Sequence, residues 1–185
     1  MADTWISKTL YKNGVLKNKL GIRDGAELAR LEYRISGRVA LRLLQRHLKV
    51  NTIDDLCKIH KLMFASLYPW AGKLRPGDFR KGDSVFFPYE RFDYAREDID
   101  NTIASLQKKK TLSNKDYAIL LDKINYFHPF REGNGRSTKT FLQCLAANHG
   151  QVINYPLNND QMIAAQEAAD IERIAQLINV ERIAD

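Results

Sequence analysis

Apolar residues recur every three or four positions along most of the chain, which is the spacing of an amphipathic helix. In residues 51–67, Thr52 and Asp55 stand at the spacing of a capping box, and apolar positions follow at helical intervals. Similar apolar stripes predict further helices over residues 24–48, 92–108 and 113–127, from about Gly135 onward, and over about 159–183 as one helix or a pair. We therefore predict a mainly α fold, built as a helical bundle.

One segment departs from helical spacing. The stretch "FRKGDSVFFP" (residues 79–88) places Lys-Gly-Asp-Ser between short aromatic, β-prone arms, which predicts a small β-hairpin with a glycine-assisted turn. The residues before it, 68–78, have the proline and glycine content of a loop. Because an isolated hairpin is only marginally stable in water, we expect it to pack on the helical body as a flap.

The chain length of 185 residues predicts a single domain with a substantial core. We expect the core over residues 50–160, a helical N-terminal entry over 1–49 and C-terminal helices over 160–185. Cys57 and Cys144 each lie within a helical apolar pattern without a partner at ligand spacing, so we predict buried free thiols.

Targeting signals are not evident in the sequence. No apolar run approaches the roughly 20 residues that cross a bilayer. The first residues, "MADTWISKTLYKNG", lack the charged-then-apolar layout of a secretory signal. We therefore expect a cytoplasmic protein that makes no membrane contact.

The net charge of +7 and the pI near 9.4 favour polyanionic partners. Nucleic acid, a nucleotide and an acidic protein all satisfy this charge. A nucleic-acid platform would interleave aromatic side chains with cations, whereas the aromatic residues here mostly follow helical core spacing. We therefore expect no direct binding of nucleic acid, although a basic nucleic-acid-binding module stays the least favoured alternative.

The densest polar chemistry lies in "HPFREGNGRSTK", residues 128–139. Pro129 predicts that the preceding helix ends at or before His128. The glycine-flanked residues 133–135 then lead into a helix start, where unpaired backbone N–H groups and the positive helix dipole favour an anion. Arg136 in the first turn and Lys139 three residues later add two cations, which indicates more than one phosphate, as in a nucleotide.

Two other side chains in this stretch suggest catalysis. Glu132 directly precedes the anion-binding turn, and a bridging Mg²⁺ would reconcile its carboxylate with phosphate. His128 has an ordinary pKa near 6.5, so it is mostly neutral at pH 7 and able to accept a proton. The set favours phosphoryl or nucleotidyl transfer, in which positioning and charge stabilisation dominate.

Each residue taken alone also has a purely structural explanation. A histidine before proline is commonly a helix cap, and Glu132 with Arg136 at a spacing of four residues forms an ordinary surface ion pair. Gly133 and Gly135 shape a turn in many loops. None of these explanations accounts for the other polar groups, so the joint pattern favours a catalytic site.

The stretch "HPFREGNGR" resembles the signature of the Fic family, His-x-Phe-x-(Asp/Glu)-Gly-Asn-Gly-Arg-x-x-Arg, at every fixed position through Arg136. The similarity extends to "LYPWAGKLR" with the following "FRKGDSVFFP", which is like the family's loop and flap. It also extends to "LKNKLGIRDGAELARLE" (residues 16–32), which is like the N-terminal entry of stand-alone bacterial members. One position departs, because Lys139 replaces the last arginine.

The resemblance implies AMPylation, the transfer of AMP from ATP to a hydroxyl side chain of a target protein. His128 would deprotonate the hydroxyl, and Glu132 would hold Mg²⁺ against the α- and β-phosphates. The turn of Gly133, Asn134 and Gly135 would bind the phosphates, and Arg136 would steady the β-phosphate as diphosphate leaves.

The flap is implied to clamp the target by strand-like backbone pairing around Lys81 and Gly82. Lys81 is equally compatible with a solvated turn residue. Gly135 separates the chain from the related Doc toxins, in which a lysine at that place accompanies phosphorylation. AMP transfer is therefore favoured, with transfer of another phosphate-linked moiety or removal of AMP as alternatives.

The family's last arginine is implied to bind the γ-phosphate and to pair with an inhibitory glutamate. Lys139 keeps the charge but loses the bidentate fork, so we expect weaker ATP orientation and a weaker inhibitory pair. Neither terminus contains a convincing inhibitory (Ser/Thr)-x-x-x-Glu-(Gly/Asn) pattern. By resemblance to stand-alone toxins, we expect a separate small antitoxin to supply that helix, and type II topoisomerase subunits to be possible targets.

Overall fold

Eight α-helices and two small antiparallel sheets are present in residues 4–82, 84–156 and 160–183, which the computed structural model describes. The helices are α1 Thr4–Lys8, α2 Gly25–Gln45, α3 Ile53–Phe64, α4 Phe92–Gln107, α5 Asn114–Phe127, α6 Asn134–Asn148, α7 Asp160–Glu167 and α8 Ile171–Leu177. The strands are β1 Arg80–Lys81, β2 Ser84–Val85, β3 Gln151–Asn154 and β4 Asn179–Arg182, and a 3-10 helix spans Tyr89–Arg91. The predicted mainly α fold is confirmed.

Helix starts follow the capping residues of the sequence. At the start of α3, the Asp55 carboxylate accepts a hydrogen bond from the Thr52 N–H at 3.3 Å, as the capping-box spacing predicts. At the start of α5, Ser113 and Asp116 form the same reciprocal arrangement. Such caps typically contribute about 1 kcal/mol each to stability, and they fix where α3 and α5 begin.

Helix α6 runs through the centre of the bundle and packs against α2, α3, α5 and β3. Its apolar side chains are almost fully buried, and the largest is Phe141 at 0% exposure. Burying a side chain of this size contributes roughly 2–3 kcal/mol. The helix is thus a rigid support, and its N-terminal end carries the polar stretch identified in the sequence.

The predicted flap is confirmed as a hairpin, in which β1 pairs with β2 through Arg80 opposite Val85 and Lys81 opposite Ser84. Contacts to the end of α5 help to fix it to the bundle. The Phe87 N–H donates to the Tyr126 carbonyl at 2.9 Å, and Phe86 stacks on the imidazole of His128. The flap is therefore packed directly over the candidate base.

The C-terminal prediction is wrong in part. Helices α7 and α8 occupy residues 160–167 and 171–177, but the expected continuation as helix to 183 is replaced by β4, which pairs with β3 from Gln151 opposite Arg182 to Asn154 opposite Asn179. Strands of four residues give too short an alternation to be distinguished from a helical pattern. Their pairing is also set by distant residues, so the sequence pattern did not predict this second sheet.

The prediction that both cysteines are free thiols is confirmed. Both are free, Cys144 is buried in α6, and Cys57 in α3 is half-buried. Burial raises the pKa of each thiol to about 11, so both stay protonated at neutral pH. Among the described residues, no helix combines the length and apolarity needed to cross a membrane.

Candidate functional site

His128 closes α5 in a left-handed conformation, with φ of 43°. Its Nδ1 lies 3.3 Å from the Asn125 carbonyl, so the proton on Nδ1 is the one that can be donated there. Within the described part of the chain, no hydrogen bond involves Nε2. The ring is thereby held with an unprotonated nitrogen available.

Burial is the main cause that lowers the pKa of His128, to about 4. The nearby positive charges of Arg75 and Lys81 lower this pKa further, while the hydrogen bond to Asn125 opposes the shift. Phe86 stacks on the imidazole at 3.7 Å between ring centroids, and Phe79 lies at 5.6 Å. The imidazole is neutral at pH 7 and is positioned by the flap.

The start of α6 provides open backbone donors. Gly133 is the N-cap, and the first N–H bonded to a preceding carbonyl of this turn is that of Ser137, which donates to the Gly133 carbonyl at 3.0 Å. Within the described residues, the backbone N–H groups of Asn134, Gly135 and Arg136 donate to no protein acceptor. Three donors at the positive end of a 15-residue helix form an anion-binding turn.

The two glycines of the turn differ in what they require. Gly133 has φ of 80°, and a Cβ at this position would lie 2.6 Å from the Phe64 ring, so conformation and packing both demand glycine. Gly135 has an ordinary helical φ, and a Cβ there would meet nothing within 4 Å. The protein fold itself therefore does not explain Gly135, and the open space above it is available to a ligand.

Asn134 shapes the loop through its side chain. Its Oδ1 accepts from the Phe130 N–H and its Nδ2 donates to the Phe130 carbonyl, both at 2.9 Å. The side chain is 7% exposed. The side chain of Asn134 therefore holds residues 130–134 in a closed loop. Its backbone N–H is one of the three open donors of the anion-binding turn.

Arg136 binds a residue that the sequence analysis did not identify. Its Nη2 donates to the buried Glu32 carboxylate of α2 at 2.7 Å, whereas Glu132 lies at 3.7 Å. The Tyr68 hydroxyl donates to the other Glu32 oxygen. The Glu132–Arg136 ion pair, considered above as the structural alternative, is present but secondary, because Glu32 and Tyr68 fix the guanidinium.

One nitrogen of Arg136 is left unsatisfied. Within the described residues, Nη1 is buried and has no hydrogen-bond partner. Its guanidinium carbon lies 4.9 Å from the Phe64 ring centroid and 5.3 Å from that of Tyr33. A buried donor without a partner is costly, so an anion beside this guanidinium would stabilise it.

Lys139 lies against a different part of the bundle from Arg136. Its Nζ is 5.1 Å from the ring centroid of Tyr155, just beyond β3, and burial lowers its pKa. Arg136 instead contacts α2 and α3. The two predicted phosphate cations thus follow each other along α6, with Lys139 beside Tyr155 and Arg136 beside Glu32.

One carboxylate oxygen of Glu132 accepts a hydrogen bond within the loop, and among the described residues the other accepts none. Its Oε1 accepts from the Gly133 N–H at 2.9 Å, and its side chain is 48% exposed. The described residues contain no group of three or more histidine, cysteine, aspartate or glutamate side chains suited to hold a metal. A single exposed carboxylate beside an anion-binding turn fits Mg²⁺, which draws its remaining oxygens from phosphate and water.

His60 of α3 supports the loop from below. Its Nδ1 accepts from the Gly72 N–H at 2.8 Å and its Nε2 lies 2.9 Å from the Glu132 carbonyl, which assigns the ring proton to Nε2. The ring stacks on Phe130 at 3.7 Å. Burial lowers the pKa of His60 to about 4, so it stays neutral and bridges two loops.

Arg75 connects the flap to the candidate base, His128. Its backbone N–H donates to the Pro129 carbonyl at 2.7 Å, and its Nε donates to the His128 carbonyl at 2.9 Å. The terminal nitrogens donate to the carbonyls of Gly77 and Phe87. One buried arginine thereby orients the left-handed residue and both ends of the flap.

The flap residues named from the sequence lie at the exposed tip. Lys81 is in β1, opposite Ser84, and Gly82 follows with φ of 59°. The charge of Lys81 is close enough to lower the pKa of His128. Asp83 lies outside the described residues, so the turn itself is described only at Gly82.

Sequence reasoning missed Glu32, Tyr68 and Arg75 as supports of the site. Their partners are distant along the chain, since Glu32 and Arg136 are 104 positions apart. A signal was nevertheless present for Glu32, because it continues the buried stripe of α2 with Leu28 and Ser36 at intervals of four. A carboxylate in an apolar stripe requires a cation or a donor.

The sequence of this chain is similar to that of known proteins over the residues that form the site. The sequence profile described as the Fic/DOC family matches residues 50–146. The chain is 32% identical over 149 residues to the protein adenylyltransferase VbhT of Bartonella schoenbuchensis, covering 78% of this chain but only 31% of VbhT. It is 28% identical to the probable protein adenylyltransferase Fic of Salmonella typhimurium, covering 76% of this chain and 72% of that protein.

Solved structures share the fold at low identity. The N-terminal Fic domain of a Bartonella effector protein from Bartonella sp. AR 15-3 superposes with a TM-score of 0.84 at 22% identity, over 96% of this chain and 92% of that one. The BepC protein of Bartonella tribocorum, solved with bound AMPPNP, gives 0.80 at 20% identity, over 97% and 100%. The profile match spans more than half of the sequence and includes the candidate base, the anion-binding turn and the flap, so this chain belongs to the Fic/DOC family.

Proposed function

We propose that the chain is a protein adenylyltransferase, which transfers AMP from ATP to a hydroxyl side chain of another protein. The observation that carries the proposal is the open Nε2 of His128 beside a helix start with three open N–H donors. The names of VbhT and of the Salmonella relative support the same reaction, and BepC was solved with an ATP analogue. The chain spans less than a third of VbhT, so this activity rests on the site.

In the proposed reaction, the target hydroxyl oxygen bonds to the α-phosphorus of ATP. The bond from that phosphorus to the bridging oxygen breaks, and diphosphate leaves. The hydroxyl proton passes to Nε2 of His128, which is unprotonated at pH 7 because burial lowers its pKa to about 4. Phe86, stacked on the ring, keeps the nitrogen directed toward the reacting hydroxyl.

Charge on the phosphates is stabilised by groups that are already in place. The open N–H groups of residues 134–136 face the anion, and the unpartnered Nη1 of Arg136 would be satisfied by a phosphate oxygen. Because Glu32 and Tyr68 already fix the guanidinium, little reorganisation is needed when charge develops. Lys139, further along α6, is assigned to the γ-phosphate.

We assign Mg²⁺ to Glu132 as the cofactor. When bound, the ion neutralises charge on the α- and β-phosphates. Glu132 suits this role because its Oε1 is held by the Gly133 N–H while its side chain remains half exposed. Glu132→Gln should therefore weaken binding of MgATP more than binding of ATP in the presence of EDTA, measured by calorimetry.

The reaction is tested by radiolabel transfer. The protein is incubated with Mg²⁺ and bacterial lysate, in parallel with α-labelled and γ-labelled ATP, and compared with His128→Ala. AMP transfer places α-label, but no γ-label, on a protein band, and the label is absent with the variant. Label from γ-labelled ATP would assign phosphorylation instead, and α-label that survives in His128→Ala would remove His128 as the base.

For regulation, we propose control in trans by a small antitoxin that carries the inhibitory helix. The proposal rests on the resemblance of the sequence to stand-alone toxins of the family. Expression should arrest bacterial growth, and a co-expressed small helical partner should restore it. Harmless expression of active enzyme would contradict this. Type II topoisomerase subunits are the first targets to assay, and the cytoplasm is the expected location.

A further inference from the structure

A cavity lies beside the flap, between α1 and the loop that follows α3. It encloses about 330 Å³ and is lined by Trp5, Thr9, Trp70, Leu74 and Pro76, with Lys8, Lys73 and Arg131 around it. We call it the N-terminal cavity. A volume of this size accommodates one large apolar side chain with its neighbouring backbone.

Two tryptophans form rigid walls of the N-terminal cavity. The Trp5 Nε1–H donates to the Asp78 carbonyl at 3.2 Å, which ties α1 to the base of the flap. Trp70 stacks on Tyr68 with ring centroids 4.4 Å apart. Both indoles are half-buried, so each presents part of its ring to the cavity. The walls are therefore preformed and apolar.

The charges around the N-terminal cavity have one sign. Lys8 and Lys73 are exposed, Arg131 is half-buried, and none of the described residues that line the cavity carries a carboxylate. The Arg131 Nε donates to Thr9 Oγ1 at 2.8 Å, and its terminal nitrogens have no hydrogen-bond partner within the described chain. An occupant with carboxylates next to an apolar side chain complements this arrangement.

The ring of Phe79 lies between the N-terminal cavity and the candidate active site. The ring of Phe79 lies 6.1 Å from that of Trp5 and 5.6 Å from the imidazole of His128. Its centroid is also 5.7 Å from the Arg131 guanidinium carbon. The cavity wall and the imidazole are thus no more than about 12 Å apart, a distance that three or four extended residues span.

We propose that the N-terminal cavity is a docking subsite for the target protein. It holds a bulky apolar side chain located three or four residues from the acceptor hydroxyl, with acidic neighbours facing Lys8, Lys73 and Arg131. The inference rests on the proposed function, because the same segment presents its hydroxyl to His128. The docking subsite selects among target sequences, whereas the reaction alone requires only an acceptor hydroxyl.

The chain offers a specific reporter for this proposal, since Trp5 and Trp70 are its only two tryptophans and both line the cavity. The probe is the synthetic peptide acetyl-Asp-Phe-Asp-Ala-Ala-Ser-amide, titrated without ATP while tryptophan emission is followed. We expect a saturable change in emission, and no change with a peptide that carries lysine in place of both aspartates. Equal binding of the lysine peptide would overturn the proposal.

Charge-reversal variants locate the binding. The double variant Lys8→Glu with Lys73→Glu should weaken the peptide about tenfold, since each rim pair is worth somewhat under 1 kcal/mol. The double variant Lys49→Glu with Lys110→Glu makes the same change of net charge at exposed positions away from the cavity and should bind as the wild type does. Equal weakening in both variants would assign the effect to overall charge and overturn the proposal.

The outcome separates this inference from the proposed function. His128→Ala should bind the peptide normally while transferring no AMP to its serine, measured with α-labelled ATP. Transfer to lysate proteins without any binding of the acidic peptide would overturn the subsite and leave the reaction intact. Peptide binding without AMP transfer to any substrate would overturn the proposed reaction and leave the subsite intact. Emission that changes with protein concentration alone would assign the cavity to a second copy of the chain.

Discussion

Replacing Glu32 tests whether the site is built around a buried ion pair. The Glu32 side chain is 8% exposed and that of Arg136 is 22% exposed, with 2.7 Å between them. Breaking a fully buried pair costs roughly 3–5 kcal/mol, and breaking an exposed one costs under about 1 kcal/mol. For this intermediate burial, we expect Glu32→Gln to lower the free energy of unfolding by about 2 kcal/mol.

A chain of this length loses about 2–4 °C in Tm per kcal/mol, so Glu32→Gln should lower Tm by about 4–8 °C. The matched control is Asp98→Asn, because the Lys123–Asp98 pair has the same 2.7 Å separation but side chains that are 31% and 61% exposed. The control should shift Tm by no more than about 3 °C. Both shifts are measured by differential scanning calorimetry.

A double-mutant cycle isolates the pair itself. In the Arg136→Ala background, Glu32 is a buried carboxylate without its cation, so Glu32→Gln should be neutral or stabilising there. Glutamine still accepts a hydrogen bond from Tyr68, which removes loss of that contact as an explanation. If Glu32→Gln costs the same in both backgrounds, or no more than Asp98→Asn, the ion pair does not organise the site.

Further predictions concern the turn, its supports and the last motif position. Gly133→Ala should strain the backbone and displace Phe64, which lowers Tm, whereas Gly135→Ala should leave Tm unchanged and weaken ATP binding in calorimetry, because only a ligand approaches that position. Burial holds the pKa of His60 and His128 at about 4 in the folded state against an ordinary 6.5, so unfolding takes up protons between these values. Stability present above pH 6.5 should therefore be lost toward pH 4, with a slope of up to about 1.4 kcal/mol per pH unit for each histidine, and His60→Phe should remove one histidine's share of the slope in denaturant titrations. Lys139→Arg should tighten ATP about fivefold through an added hydrogen bond, and unchanged affinity in calorimetry would contradict the γ-phosphate assignment.

Local patterns predicted the parts of the fold that depend on neighbours in sequence. Pro129 placed the end of α5 at His128, and Thr52 with Asp55 placed the start of α3. The flap followed from a glycine-containing turn between β-prone arms. In each case the determining residues lie within four positions of the feature, so one window of sequence contains the physical cause.

Features that depend on distant pairing were not predictable in the same way. Strands β3 and β4 are separated by α7 and α8, and each is stabilised only once the other is in place. Sequence spacing offered Glu132 as a structural ion-pair partner of Arg136, but the shorter contact is to Glu32 on another helix. His60 lies on the buried face of α3, and its link to the Glu132 carbonyl depends on the tertiary structure.

Arg75 has a consequence for attempts to retarget the proposed adenylyltransferase. It donates to the carbonyls of His128, Gly77 and Phe87, so the segment proposed to dock a substrate and the residue proposed to activate its hydroxyl are anchored to one guanidinium. A flap grafted from a relative with a different specificity will preserve turnover only if its two ends still present their carbonyls to Arg75. Chimaeras should therefore exchange residues at the tip, around Lys81 and Gly82, and leave both anchoring ends native.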